Sequence, residues 1–202
     1  MASDVRSRMA HSALWLIAER GIQGTAIADV LERSGAPRGS VYYHFPGGKD
    51  EMVLAAMEYM ATDARAPLRA MRGADVGTVI TGFVDLWRGV LRKSDYAAGC
   101  AAAGVTVSAE TEELRAAARK VFEVWVADLT ELFVDAGVEK AKAEDLAWML
   151  EASTEGAVIF ARSERSMRAL DLVEKQLLAF AQTLERVPTG HDAPMVGRRP
   201  EA

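Results

Sequence analysis

The chain has 202 residues, half of them hydrophobic, with one cysteine and a formal net charge of −5. That length allows one large domain, or a small domain joined to a medium one. The lone Cys100 excludes an internal disulfide framework, and the acidic balance excludes a protein whose whole surface binds nucleic acid.

No run approaches the roughly 18 apolar residues of a membrane span. The segment 1–8 lacks the apolar run and small-residue cleavage site of a signal peptide. A soluble cytoplasmic protein with no membrane partner is expected. Ala, Leu, Glu, Arg and Met are plentiful and β-branched runs are scarce, which favours an all-α protein.

A first helix is predicted from about Asp4 to Arg20. Ser3 is placed as its N-cap and Gly21 at its left-handed end, with Met9, Ala13, Leu16 and Ile17 as its buried stripe. Thr25 is expected to cap a short second helix, Ala26 to about Ser34, with Ile27, Val30 and Leu31 inward. Gly35, Ala36 and Pro37 form a turn, and Pro37 suits the first turn of a brief third helix, about Arg38 to His44. Phe45-Pro-Gly-Gly48 ends it, and a longer helix is predicted from Lys49 to about Ala70.

Two short helices joined by a glycine-bearing turn form the helix-turn-helix pattern. Ile27, Val30, Leu31, Ala36, Val41 and Phe45 can bury together. Arg38, Gly39, Ser40, Tyr42, Tyr43 and His44 are then left on the outside. Such a surface has little structural justification on its own, but it suits entry into a DNA major groove. Charge agrees in sign: the first fifty residues carry six Lys or Arg against five Asp or Glu, and the remainder eighteen against twenty-four.

Gly73, Asp75 and Gly77 mark a break. Helical periodicity resumes from about Val76 to Arg92, with Ile80, Phe83, Val84, Trp87 and Leu91 on one side. Tyr96 to Cys100 is a small-residue junction into a short segment, Ala101 to about Ser108. Long helices follow at about Thr111–Ala136 (Leu114, Val121, Phe122, Trp125, Leu129, Leu132 and Phe133 apolar, Gly137 closing), Ala143–Arg162 and Met167–Arg186. From Pro188 the composition is that of a disordered tail. The expected organisation is therefore a three-helix head at 1–48, a helical-bundle domain at 49–187 and a tail at 188–202.

The block from Gly24 to Glu51 (Gly-Thr25-Ala-Ile-Ala-Asp-Val-Leu-Glu-Arg-Ser-Gly35-Ala-Pro-Arg-Gly-Ser40-Val-Tyr-Tyr-His-Phe45-Pro-Gly-Gly-Lys49-Asp-Glu) resembles the DNA-binding domain of the tetracycline-repressor (TetR) family. The likeness covers about residues 5–55. Phe45-Pro-Gly-Gly-Lys49, Gly99-Cys100 and Glu155-Gly-Ala…Ala161-Arg-Ser-Glu164 resemble its LmrA/YxaF-like branch, although Ala101 stands where that branch usually has Pro.

The resemblance implies a dimer of nine or ten helices per subunit, with the last two long helices of each forming a four-helix interface. It implies phosphate contacts from Thr25, Tyr42 and Lys49. It places Arg38, Gly39, Ser40, Tyr43 and His44 against base edges or neighbouring phosphates, with local capping or packing the other reading of His44. The chemistry is compatible: Lys49 stands at a helix N-terminus, Arg38 has the bidentate donors for guanine, and Gly39 allows close approach.

Phe83, Trp87, Phe122, Trp125, Trp148 and Met149, with Ala152, are the candidate lining of a ligand cavity; a large side chain of this kind, taken singly, is more often core than pocket. Glu155 is either a solvated charge or a polar anchor of that cavity. Cys100 reads as a small buried hydrophobe, or as a redox sensor if a basic neighbour activates it. His11 and His191 have no partner spacing and read as structural or incidental. No metal-ligand spacing, phosphate-binding glycine loop or catalytic pairing occurs, so neither a metal nor another cofactor is expected.

The leading reading is a repressor that binds a partly palindromic operator duplex as a dimer and is released by a small, mostly apolar or aromatic effector. The others are a DNA-binding regulator without effector and an enzyme. The dimer is expected through Leu146, Leu150, Ser153, Ala157 and Phe160, together with Leu170, Val173, Leu177, Leu178, Phe180, Ala181 and Leu184. Gly156 would permit close crossing of the helices.

Overall fold

The computed structural model describes residues 2–184. Among them it is built of α-helices and short 3-10 turns, with no β-strand. The 188–202 segment and His191 lie outside the described residues.

Helix α1 (Ala2–Arg20) begins two residues earlier than expected, so Ser3 falls within it rather than before it. Met9, Ala13, Leu16 and Ile17 are buried, and Gly21 follows at φ +73°. Helix α2 (Ile27–Ser34) ends on Gly35 at φ +65°, whose N–H closes onto the carbonyls of Leu31 and Glu32. A residue with a Cβ would be strained at such a φ.

The N-cap of α2 is Ala26, without a side-chain cap bond. Thr25 is instead buried, and its hydroxyl donates to the Gly21 carbonyl (2.8 Å). Thus Thr25 fixes the loop behind α2 and does not present its hydroxyl outward. Pro37 likewise precedes its helix: its ψ of 140° is extended, and it caps a 3-10 turn, Arg38–Ser40, that runs into α3 (Val41–His44).

Helix α4 (Gly48–Thr62) stops eight residues short of the expected Ala70. Pro67 lacks the N–H that would bond the Asp63 carbonyl, and it disfavours helical backbone at the preceding residue. The chain makes a 3-10 turn, Asp63–Arg65, and a short α5 (Ala66–Arg69). Arg65 holds this turn to the body, its Nε donating to Asp128 (2.6 Å) and its Nη1 to the Ala61 carbonyl (2.8 Å).

Helix α6 (Val76–Lys93) is capped by Asp75, which accepts from the Thr78 N–H (3.1 Å). Its stripe Ile80, Phe83, Val84, Trp87 and Leu91 is buried as expected. Then come α7 (Ala101–Ser108), α8 (Glu112–Asp135, closed by Gly137 at φ +90°), α9 (Lys140–Glu164) and α10 (Arg168–Ala181). Cys100 caps α7, its Sγ accepting from the Ala103 N–H. Ala101 is thus the first helical residue, a position where proline is also at home.

Helix α8 packs on α4, α7 and α9, while α10 lies on α9 and α6. The α6–α10 seam carries an ion cluster. Buried Arg88 reaches Asp85 (2.8 Å), Asp171 (2.6 Å) and Glu174 (2.6 Å), and Thr81 also donates to Glu174 (2.7 Å). The buried apolar side chains form one cluster running from Met9 to Leu177, so the three-helix head and the bundle share a core. No helix among the described residues is long and apolar enough to cross a membrane.

Candidate nucleic-acid interface and ligand cavity

Val30, Ala36, Val41 and Phe45 are buried, with Ile27 and Leu31 packed against them, and this fixes which side of α3 faces out. Tyr42 and Tyr43 are the outcome: 72% and 78% of their surface is exposed. Apart from an edge contact between Tyr43 and His44, two aromatic rings this open add little packing inside the chain; they present phenol groups to whatever approaches. Arg38 and Gly39 are exposed beside them, and a Cβ on Gly39 would meet nothing within 4 Å. Nothing within the chain therefore requires that glycine.

Ser40 and His44 are less available. The Ser40 hydroxyl donates to the Pro37 carbonyl (2.6 Å), and the half-buried His44 ring stands edge-on to Tyr43 at 4.9 Å. Lys49 is the second residue of α4. Two N–H groups beside it are already engaged, Gly47 with the Glu51 carboxylate (2.9 Å) and Gly48 with the Phe45 carbonyl (2.9 Å). Its capacity for phosphate therefore rests on its ammonium more than on that helix end. Arg6 ties α1 to the same corner, lying over the Phe45 ring (4.9 Å) and 3.6 Å from Glu51.

A cavity of about 260 Å³ lies where α1 meets the bundle. Its wall includes Trp15 and Ala18 of α1, Tyr59 and Met60 of α4, Ala64 and Pro67 of the following turns, Leu86, Trp87 and Val90 of α6, and Trp125 of α8. His11 sits at its mouth, where its Nε2 accepts from the Trp15 indole (3.1 Å) and its ring meets Tyr59 edge-on at 5.3 Å. Burial, then the nearby Lys93 and Arg33 charges, hold the His11 pKa below its ordinary value. Trp125 is fixed by donating to the Met60 carbonyl (3.1 Å).

The expected lining is corrected in most of its members. Trp87 and Trp125 line the cavity. Phe83 is fully buried behind Trp125, its ring edge-on at 6.0 Å, and Phe122 is half-buried away from the cavity. Trp148, Met149 and Ala152 lie on the exposed face of α9, opposite the buried Leu146, Leu150, Thr154 and Ala157. Of the dimer seam expected on α9, Phe160 is exposed and Ser153 half-buried, whereas the other three members face inward. Leu146, Leu150 and Ala157 belong to the subunit's own core, as do Leu170 and Leu177 of α10. The open large apolar residues of these two helices are Trp148 (51%), Met149 (41%), Ile159 (66%) and Phe160 (61%) of α9, with Leu172 and Phe180 of α10.

Glu155 is neither solvated nor part of the cavity lining. It turns inward against the Cys100 thiol, one helical turn from buried Glu151. Burial raises Glu155 to about 7, and burial with the neighbouring Glu155 raises Glu151 to about 8. The same surroundings push the Cys100 thiol up, away from the reactive thiolate, so the buried-hydrophobe reading of Cys100 stands. His11, Trp15 and Tyr59 were missed by sequence reasoning. His11 and Trp15, four residues apart on one helix face, were the available signal.

Residues carrying the branch resemblance meet in space. Arg162 lies over Gly99, where an added Cβ would stand 2.7 Å from its Nη1. It donates to the carbonyls of Ala97 (2.7 Å) and Glu19 (3.3 Å), and the Gly99 N–H donates to Ala18 (2.9 Å). This joint binds the last turn of α1 to α9.

Comparison with known proteins follows the same division. Residues 11–56 match the family described as bacterial regulatory proteins, tetR family, and residues 77–176 match the LmrA/YxaF-like transcriptional regulator C-terminal domain. An HTH-type transcriptional regulator of Mycobacterium tuberculosis is 39% identical over 191 residues, covering 90% of this chain and 97% of that one. LmrA of Bacillus subtilis is 25% identical over 176 residues, covering 83% and 91%. Among solved structures, a TetR regulator of Chloroflexus aurantiacus superposes with a TM-score of 0.72 at 25% identity, over 93% of this chain and 98% of that one. A Rhodobacter sphaeroides regulator superposes at 0.75 with 21% identity, over 88% and 97%, and shows the shared fold.

Proposed function

The chain belongs to the TetR family of bacterial transcriptional regulators, and we propose from that premise that it is a repressor that releases its operator when a small apolar molecule enters the cavity beneath α1. Its relatives are regulators, which disposes of the enzyme reading. The cytoplasm, where bacterial DNA lies, is its place of action.

DNA binding is assigned to the exposed side of α3. Tyr42 and Lys49 contact phosphates and Arg38 reads a base edge, with Gly39, Ser40, Tyr43 and His44 adjoining them. The dimer forms through the outer faces of α9 and α10, where Trp148, Met149, Ile159, Phe160, Leu172 and Phe180 leave apolar surface uncovered. Gly156, with nothing near its Cβ position, lies within that face. Two-fold symmetry then presents two copies of α3 to a partly palindromic duplex, about 34 Å apart.

The observation that carries the ligand response is the cavity's position. Trp15 and Ala18 belong to a helix of the DNA-binding head, whereas Trp87 and Trp125 belong to the bundle. A molecule between them changes how the head sits on the bundle, and hence the spacing of the two recognition helices. A hundredfold preference for the DNA-incompetent arrangement is worth about 2.7 kcal/mol per site, and linkage requires operator DNA to weaken ligand binding equally.

The test is to select an operator from random duplexes, then to screen a library of apolar compounds for its release in gel shifts. A partly palindromic consensus released by a compound that binds in calorimetry supports the proposal. A consensus that no compound releases favours a regulator without effector.

A further inference from the structure

The buried face of α9 is apolar at Leu146, Leu150, Ala157 and Ala161, yet it also carries Glu151 and Thr154, at 5% and 0% exposure. Thr154 and Glu155 follow Glu151 by three and four residues, so both neighbour it along one side of the helix. One oxygen of each, Glu151 Oε2, Thr154 Oγ1 and Glu155 Oε1, is closed off from solvent without a hydrogen-bond partner among the described residues. Cys100 completes the group, its thiol lying against the Glu155 carboxyl.

No cation offsets this group among the described residues. Glu155 acts on Glu151 and the Cys100 thiol on Glu155. The charges paired on the surrounding helices face other partners. Arg88 of α6 is committed to Asp85 and to Asp171 and Glu174 of α10, Asp128 of α8 to Arg65, and Arg162 of α9 to the Ala97 and Glu19 carbonyls. A carboxylate ionised here has neither water nor a counter-charge, and burial accordingly holds Glu155 to about 7 and Glu151 to about 8. A protonated carboxyl is neutral and has an O–H to give to a neighbouring oxygen.

The corner on which Cys100 stands also seats the DNA-binding head. The Gly99 N–H donates to Ala18 in the last turn of α1 (2.9 Å), and Cys100 Sγ caps α7 by accepting from Ala103 (3.4 Å). Helix α7 packs in turn on α1. One side of residues 99–100 is thus held by the carboxyl pair and the other by the head.

We propose that Glu151, Thr154, Glu155 and Cys100 form a proton-operated joint: protonated, it closes α9 on the 99–100 corner and fixes α1, and ionised, it loosens that corner and weakens operator binding. The closed joint binds more protons than the loosened one, so it is favoured below about pH 7 and is lost as pH rises through about 8. A head no longer fixed by its seat must be ordered again on DNA, and affinity falls by that cost. The consequence for operator binding rests on the DNA-binding reading above; the joint itself does not.

The test compares the full-length wild type with Glu151→Gln/Glu155→Gln between pH 6.5 and 8.5. Hydrogen exchange at Gly99 and Ala103, corrected for base catalysis, reads the joint. The carboxylic C=O infrared band reads its protons, and gel shifts on a duplex selected from random sequence read operator affinity. In the wild type, protection at both amides should fall roughly tenfold as the band disappears, and the operator Kd should rise roughly fivefold or more relative to the variant. The variant, which cannot ionise there, should keep its protection, and the comparison cancels any titration of His44 at the DNA.

PH-independent protection in the wild type overturns the proposal, as does a loss that persists in the variant. If the variant does not fold, the wild type decides alone: band and protection must disappear over the same pH interval, and separate intervals overturn the joint. Protection lost on ionisation, with operator affinity following the same pH course in both proteins, overturns its control of DNA binding. Failure to select any duplex would sink the DNA-binding reading instead, while exchange and infrared still judge the joint.

Discussion

Arg162 covers Gly99 so closely that a Cβ there would stand 2.7 Å from its Nη1. The contact joins the end of α9 to the loop before α7, and through Glu19 to the end of α1. Gly99→Ala should therefore destabilise the protein by on the order of 1–2 kcal/mol, because the guanidinium must leave the carbonyls it satisfies. In an Arg162→Ala background the same change should be nearly neutral. Urea unfolding of the double-mutant cycle measures this, and additive effects would disprove the coupling.

On the DNA side, Tyr42→Phe and Lys49→Ala should weaken binding to every duplex by about 1 kcal/mol or more each, since phosphate contacts carry no sequence information. Arg38→Ala should instead relax the preference at one base step. An unchanged sequence logo after selection with Arg38→Ala would remove it from base reading.

For assembly, Phe160→Glu places a charge on an exposed apolar face and should yield folded monomers with much reduced operator affinity, because the half-sites lose their tether. Leu177→Glu, by contrast, buries a charge in the subunit's own core and should unfold the chain. Sedimentation and circular dichroism separate the two outcomes; a Phe160→Glu dimer would move the interface elsewhere.

Glu151 and Glu155 invert the usual acid dependence. An exposed carboxyl loses its proton near pH 4.5, whereas burial holds these two to about 8 and 7. Between those values the folded state binds more protons than the unfolded, so stability falls as pH rises from about 4.5 to 8 and then levels. Glu151→Gln should flatten that slope and be more stable than wild type at pH 8.5, by on the order of 2 kcal/mol. Thermal melts at pH 6 and 8.5 check it; identical slopes would mean that the carboxyls ionise without penalty.

Ala64, half-buried on the turn after α4, lines the cavity. Ala64→Phe should fill it, lower effector affinity at least tenfold and leave operator affinity within about twofold, giving a repressor that is not induced. Release by the same ligand at the same concentration would place the effector site elsewhere. Ala152, on the exposed face of α9, cannot serve this purpose.

The head was legible because its constraints are local. Gly35 must be left-handed, Pro37 cannot continue a helix, and Val30, Val41 and Phe45 leave only one face of α3 for Tyr42 and Tyr43. The orientation of α9 was not legible, because both of its faces carry apolar residues. Trp148 and Phe160 lie outside, while Glu151 and Thr154 lie inside. A pattern rule assigns the large aromatic inward and the carboxylate outward, and here burial against neighbouring helices overrides it. The cavity was half legible. Trp87 and Trp125 follow from their helices, but Trp15 was counted with the DNA-binding head, and periodicity along α1 says nothing about which helix comes to lie across it.

With the cavity as the proposed effector site, the walls that Trp15 and Ala18 contribute from α1 make operator choice and ligand choice inseparable. An exchange of residues 1–48 between relatives would transplant part of the ligand site along with the DNA-reading surface. A chimera that keeps α3 from one parent and both α1 and the bundle from the other should retain its inducer. One that exchanges the whole head should acquire an inducer profile belonging to neither parent. The two specificities must then drift together in evolution, and α1 is the segment on which a change for one is felt by the other.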